Sequence, residues 1–131
     1  MKPRLRDWIW GVLLLMVMCT SGSEVIAQVP KRQFFTGILV DMTCATDPQR
    51  NVDKLRSEHS RKCLLMPVCA ESGYALLTDQ DEVFQFDTAS TALASKLIQR
   101  NSNRESWRVV IDGVLQGKLL VVKTIKFRNG Q

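Results

Sequence analysis

One stretch constrains this chain more than any other: Asp41 to Gly73, DMTCATDPQRNVDKLRSEHSRKCLLMPVCAESG. It holds three of the four cysteines, Cys44, Cys63 and Cys69, and the only histidine, His59. No strand pattern runs through it, whereas the residues on both sides read as strands. Any fold for this chain must therefore take in a polar, cysteine-bearing insertion behind an opening strand.

Inside the insertion, Asp47-Pro48 has the form of a helix start, with Asp47 as N-cap and Pro48 at the first helical position. Val52, Leu55, His59, Cys63 and Met66 then recur at spacings of three and four, which predicts one face of a single helix. Pro67 is expected to stop that helix at Met66, with Ala70 to Gly73 turning out of it.

The flanks set the fold class. Phe34 to Asp41 (FFTGILVD) reads as the first strand, with Gly37 marking a bulge. Tyr74 to Thr78 and Val83 to Asp87 form a hairpin across the acidic turn Asp79 to Glu82. Thr88 to Arg100 is Ala/Leu-rich and predicts a helix capped by Thr88 or Ser90. Trp107 to Asp112 and Lys118 to Phe127 complete the strands, with Gly113 and Gly117 bracketing their turn. The expectation is a mainly β domain with two helices, a small five-stranded OB-fold-like barrel over residues 34–131 carrying a Cys/His insertion at 42–73. The alternative is an α+β sandwich with both helices on one face.

Residues 1–27 stand apart. Lys2, Arg4 and Arg6 precede a 12-residue apolar run, Trp8 to Cys19, which is too short to span a bilayer but suits a signal peptide. Val25-Ile26-Ala27 places small or aliphatic residues before a cleavage point, so the mature chain is expected to begin at Gln28, with a flexible leader over 28–33. The competing reading acylates Cys19 as a lipoprotein, but Met18 is a poor residue to precede a lipidated cysteine. A third reading keeps the apolar run as an uncleaved anchor. The expected destination is the periplasm or beyond, with no stable membrane span after cleavage.

Removing the leader takes three of the 18 Lys/Arg and two of the 13 Asp/Glu, leaving a net charge of +4. That charge is interspersed, and the densest basic group, Arg50 to Lys62, includes no aromatic residue for base stacking. Nucleic acid is excluded as a partner on these grounds. A protein or small ligand of the cell envelope is the expected partner.

Export gives the cysteines two options. Disulfides persist outside the cytosol, and Cys44, Cys63 and Cys69 allow one bridge and a spare thiol in any of three pairings. Alternatively Cys44, His59, Cys63 and Cys69 make a Cys₃His set suited to zinc, or to copper given its softness and the neighbouring Met42 and Met66. Asp41, at the strand end, is expected to cap the turn through Cys44, or else to support His59 from behind. Catalytic signatures are missing: there is no Cys-x-x-Cys, no phosphate loop, no His-Glu-x-x-His and no Gly-x-Ser-x-Gly. The chain is therefore not expected to be an enzyme, and a Cys nucleophile ranks behind a binding or structural module and behind a metal-handling or thiol redox-sensing protein.

Thr36-Gly37-x-x-x-Asp41-x-x-Cys44, His59-x-x-x-Cys63 and Cys69-x-x-Ser72-Gly73-Tyr74, ahead of the remaining strands, resemble a group of small exported bacterial proteins. Those proteins share an Asp-x-x-Cys…His…Cys…Cys signature on an OB-like barrel and have no assigned activity. The resemblance implies a fold, and it implies that Asp41, Cys44, His59, Cys63 and Cys69 form one constellation. It implies no reaction.

Overall fold

A computed structural model describes residues 29–128. The expected signal peptide, its cleavage after Ala27 and the Cys19 alternative lie outside the described residues. Five strands and five helices follow in the order β1 (Arg32–Asp41), α1 (Met42–Ala45), α2 (Val52–Glu58), α3 (Arg61–Leu64), α4 (Pro67–Ser72), β2 (Tyr74–Thr78), β3 (Val83–Phe86), α5 (Thr88–Arg100), β4 (Arg108–Gln116) and β5 (Leu119–Phe127). The sheet is mixed, and its pairings close into a ring in the order β1-β2-β3-β5-β4. All contacts around the ring are antiparallel except β3 with β5, where Phe86 pairs with Leu120.

The pattern of burial explains why these segments become strands. Tyr74, Ala75, Leu76, Leu77 and Thr78 are all buried, so β2 is covered on both faces, as a continuous apolar run requires. The same holds for the second half of β1, Ile38 to Asp41, whereas its first half is mostly exposed. The ring interior is filled by Leu39, Leu76, Phe84, Val109, Ile111 and Leu120 among others, with Trp107 packed edge-on against Phe127 at 5.6 Å.

β1 changes neighbours at Gly37. This residue pairs with Val109 of β4 on one side and Thr78 of β2 on the other. A Cβ on Gly37 would lie 2.2 Å from the Leu77 carbonyl oxygen. Glycine is thus required for close approach, and the bulge expected there lies elsewhere. It occurs between Asp112 and Gly113, opposite β5. Gly113 is accordingly inside β4, and only Gly117, at φ +64°, belongs to the turn.

Beside the bulge, the Val122 N–H donates to the buried Ser90 hydroxyl at 2.7 Å. That bond ties α5 to β5 and provides for a backbone donor in an irregular part of the ladder. Ser90, Ala94 and Ile98, four apart, form the buried stripe of α5. Its N-cap is Asp87, whose carboxylate accepts from the Ser90 N–H at 2.8 Å. The cap expected at Thr88 or Ser90 therefore sits one residue earlier, and Ser90 is committed to the core.

The insertion departs most from expectation. Asp47 and Pro48 open no helix; Asp47 instead accepts from the Gln49 N–H in a turn. Asn51 caps α2 through the Lys54 N–H, and the helix ends at His59, whose backbone is extended. Ser60 then caps α3 through the Cys63 N–H, and Pro67 begins α4. The single helix predicted from the 3–4 spacing is thus two short ones, and a third begins at Pro67, where the helix was expected to stop. Local side-chain bonds from Asn51 and Ser60 compete with continuation of the helix, and Pro67 fits the first turn, where its missing N–H costs nothing. Five helices replace the two expected, so that helix and strand content are about equal around one mixed five-stranded sheet, a more helical domain than the mainly β one expected.

Candidate metal centre

Asp41 is the last residue of β1 and is fully buried. Its backbone register opposite Tyr74 holds it against β2, and its Oδ1 accepts from the Cys44 N–H at 2.9 Å, capping α1. The Asp-x-x-Cys spacing is therefore a helix cap whose N3 residue is a cysteine. α1 presents Cys44 next to the carboxylate. α4 packs against α1, and the Ser72 hydroxyl accepts from the Thr43 N–H at 3.2 Å, bringing buried Cys69 to the same place.

One donor atom from each of Asp41, Cys44 and Cys69 lies within 4.8 Å of the others. Three chain segments thus converge: the end of β1, α1 and α4. Asp41 Oδ2 faces His59 Nε2 at 3.3 Å, both side chains being almost wholly buried. The two atoms are not aligned as a hydrogen bond, and neither has another partner. Unpaired buried polar atoms are uncommon and demand a cause.

The electrostatics follow from this crowding. Burial pushes the Asp41 carboxyl up, but the facing His59 ring and the Cys44 N–H outweigh it and hold the group at about 2. Burial, with Asp41 alongside, pushes the Cys44 thiol up to about 12. Burial and Asp41 raise Cys69 in the same direction, and Tyr74 likewise, burial again being the main cause. Without a cation at this point, one carboxylate makes two neighbouring thiolates unfavourable. Tyr74 lies beneath, its hydroxyl donating to the Leu64 carbonyl at 2.9 Å and locking α3 to the ring.

No family model, curated protein or solved structure matches this chain. The geometry alone carries the assignment of residues.

Among the residues singled out by sequence, Cys44 and Cys69 share the centre. His59 reaches it through Asp41. Cys63 does not join the three-donor group; its sulfur accepts from the Ser60 hydroxyl at 3.5 Å, and with Cys44 and His59 it lines an open cleft of about 250 Å³. No two of the three sulfurs are at bonding distance. Asp41, read from sequence as the cap of the Cys44 turn or a support for His59, does cap that turn and also offers a donor atom to the group. The signal for that was its place at N-cap, which aims a carboxylate at the turn holding Cys44. Arg50 and Ser60 carry no sequence signal of comparable weight: the Arg50 guanidinium donates to the Ala45 carbonyl and fastens the loop behind α1. Met66 is half exposed, away from the packed centre.

Proposed function

We propose that this chain is an exported OB-like module whose helical cap is fastened to the strand ring by one metal ion, held by Asp41, Cys44 and Cys69. The observation that carries the reading is the convergence of those three donor atoms within 4.8 Å, next to a carboxylate oxygen and an imidazole nitrogen without partners. Zinc suits a mixed thiolate and carboxylate set, both being among its ordinary ligands. Copper(I) shares the thiolates but gains little from a hard carboxylate, so it ranks second.

The OB assignment is supported by the ring order β1-β2-β3-β5-β4 and by a helix between the third and fourth strands, the connectivity of that small barrel. Export is supported by the charged n-region and apolar run of residues 1–27. The module acts as a binding or structural element of the envelope, with a protein or small ligand as its partner. A tetrahedral ion with three protein donors keeps a fourth position for water or that ligand. His59 orients the Asp41 carboxylate in this arrangement.

Since burial and Asp41 keep both thiols protonated in the metal-free protein, loading at neutral pH releases about two protons. The test is zinc titration of the reduced protein by calorimetry in buffers of different ionisation enthalpy. One equivalent bound with about two protons released is expected, and Cys69→Ser removes the uptake. Absence of uptake, or uptake unchanged in Cys69→Ser, overturns the reading. A mass deficit of about 2 Da with no zinc would instead mark a disulfide as the lock.

A further inference from the structure

One cysteine takes no part in the donor group. Cys63 lies on α3, is half-buried, and opens onto the cleft of about 250 Å³ that Cys44 and His59 also line. Cys44 is the single residue that belongs both to the donor group and to the cleft wall. Cys69, by contrast, is buried and does not line the cleft. With a metal ion in place, the sulfurs of Cys44 and Cys69 are engaged, and Cys63 is the sulfur that a molecule entering the cleft meets unengaged. Neighbouring orphans, Asp41 Oδ2 and His59 Nε2, mark this seam as a place where a bound group completes the bonding.

Resting on the metal reading above, we propose that Cys63 is the release trigger of the centre: a low-molecular-weight disulfide entering the cleft converts Cys63 and Cys44 into a disulfide and expels the ion. The Cys63 sulfur attacks one sulfur of the small disulfide RSSR. A Cys63–S–S–R bond forms, the RS–SR bond breaks, and the departing RS⁻ takes the Cys63 proton. The Cys44 sulfur, until then bound to the metal, attacks the Cys63 sulfur and displaces the second RS⁻, which takes a proton from solvent. Two protein sulfurs are oxidised to one disulfide and RSSR is reduced to two RSH. Cys44 is thereby withdrawn, and two donors hold an ion far more weakly than three. Cys44 and Cys63 line the same cleft, so the bridge forms across its wall with α3 still held to the ring by Tyr74.

The experiment uses chain expressed from Met1, with the exported product purified reduced, loaded with zinc and exposed to oxidised glutathione. A chromogenic chelator reports free zinc, and peptide mass mapping reports the bridge. The native protein is expected to release zinc as a Cys44–Cys63 bridge forms. Cys63→Ser, with Cys63→Ala as a second variant, is expected to bind zinc as the native protein does and to release it at least about tenfold more slowly. Release from both variants at the native rate, loss of zinc affinity in both, or a bridge that excludes Cys63 overturns the proposal. If the native protein takes up no zinc, the metal reading fails separately. The trigger is then judged by bridge formation alone: the Cys63 variants must oxidise about tenfold more slowly than native, and equal rates overturn it.

Discussion

Replacing Asp41 by Asn removes one charge and nearly nothing else. Asn is as good an N-cap as Asp, so the bond from the Cys44 N–H survives and α1 keeps its start. What is lost is the charge that faces His59 in a buried seam. With the carboxyl at about 2 in the folded protein and 3.8 as its ordinary value, linkage assigns the ionised group about 2 kcal/mol of stability at pH 7. The folded value is depressed, so this contribution is complete above pH 3.8 and is lost as pH falls through 2. About half of it, or about 1 kcal/mol, remains at pH 3. Urea unfolding of native protein and Asp41→Asn, with chelator present to remove metal, reads the difference directly at each pH. Asn does not titrate, so the gap between the two proteins must narrow from pH 7 to pH 3. An Asp41→Asn protein as stable as native at pH 7, or a gap that stays constant down to pH 3, would refute the electrostatic account of this residue.

Two further substitutions probe what positions the centre. Gly37→Ala drives a methyl to 2.2 Å from the Leu77 carbonyl where β1 changes neighbours, and thermal unfolding should show a loss of about 3 kcal/mol; a loss under about 1 kcal/mol would mean the strand can shift aside. Ser90→Ala strands the buried Val122 N–H, at a cost of about 1–3 kcal/mol, and hydrogen exchange at Val122 should accelerate accordingly. An unchanged exchange rate there would show that water replaces the hydroxyl.

Where the sequence carried local instructions, the fold was readable from it. Tyr74 to Thr78 and Thr88 to Arg100 coincide with β2 and α5 because a doubly buried strand and a helix with an apolar stripe each write their period into adjacent residues. The insertion misled for an equally local reason. Val52, Leu55, His59, Cys63 and Met66 satisfy helical spacing, yet Asn51 and Ser60 turn their side chains onto the backbone and restart the helix. Periodicity does not register a cap in the middle of a matching pattern. The parallel contact of β3 with β5, which closes the ring, joins residues more than thirty positions apart and leaves no mark in either segment. At the centre, the cysteines were legible by type, but the grouping was not. Asp41 enters because it ends a strand and begins a helix at once, and Cys63 stays out because Ser60 turns α3 into a unit of its own.

The four cap helices have four, seven, four and six residues. None approaches the length, about 12–15 residues, at which a helix begins to hold its own shape in water. Their order is borrowed from Tyr74 and the ring below, and an ion between Asp41, Cys44 and Cys69 would add to it. Such a segment opens as a unit well before the strands beneath it separate. Occupancy of a single small seam would thus decide whether the region from Met42 to Ser72 is a surface that other molecules can recognise or a loose length of chain.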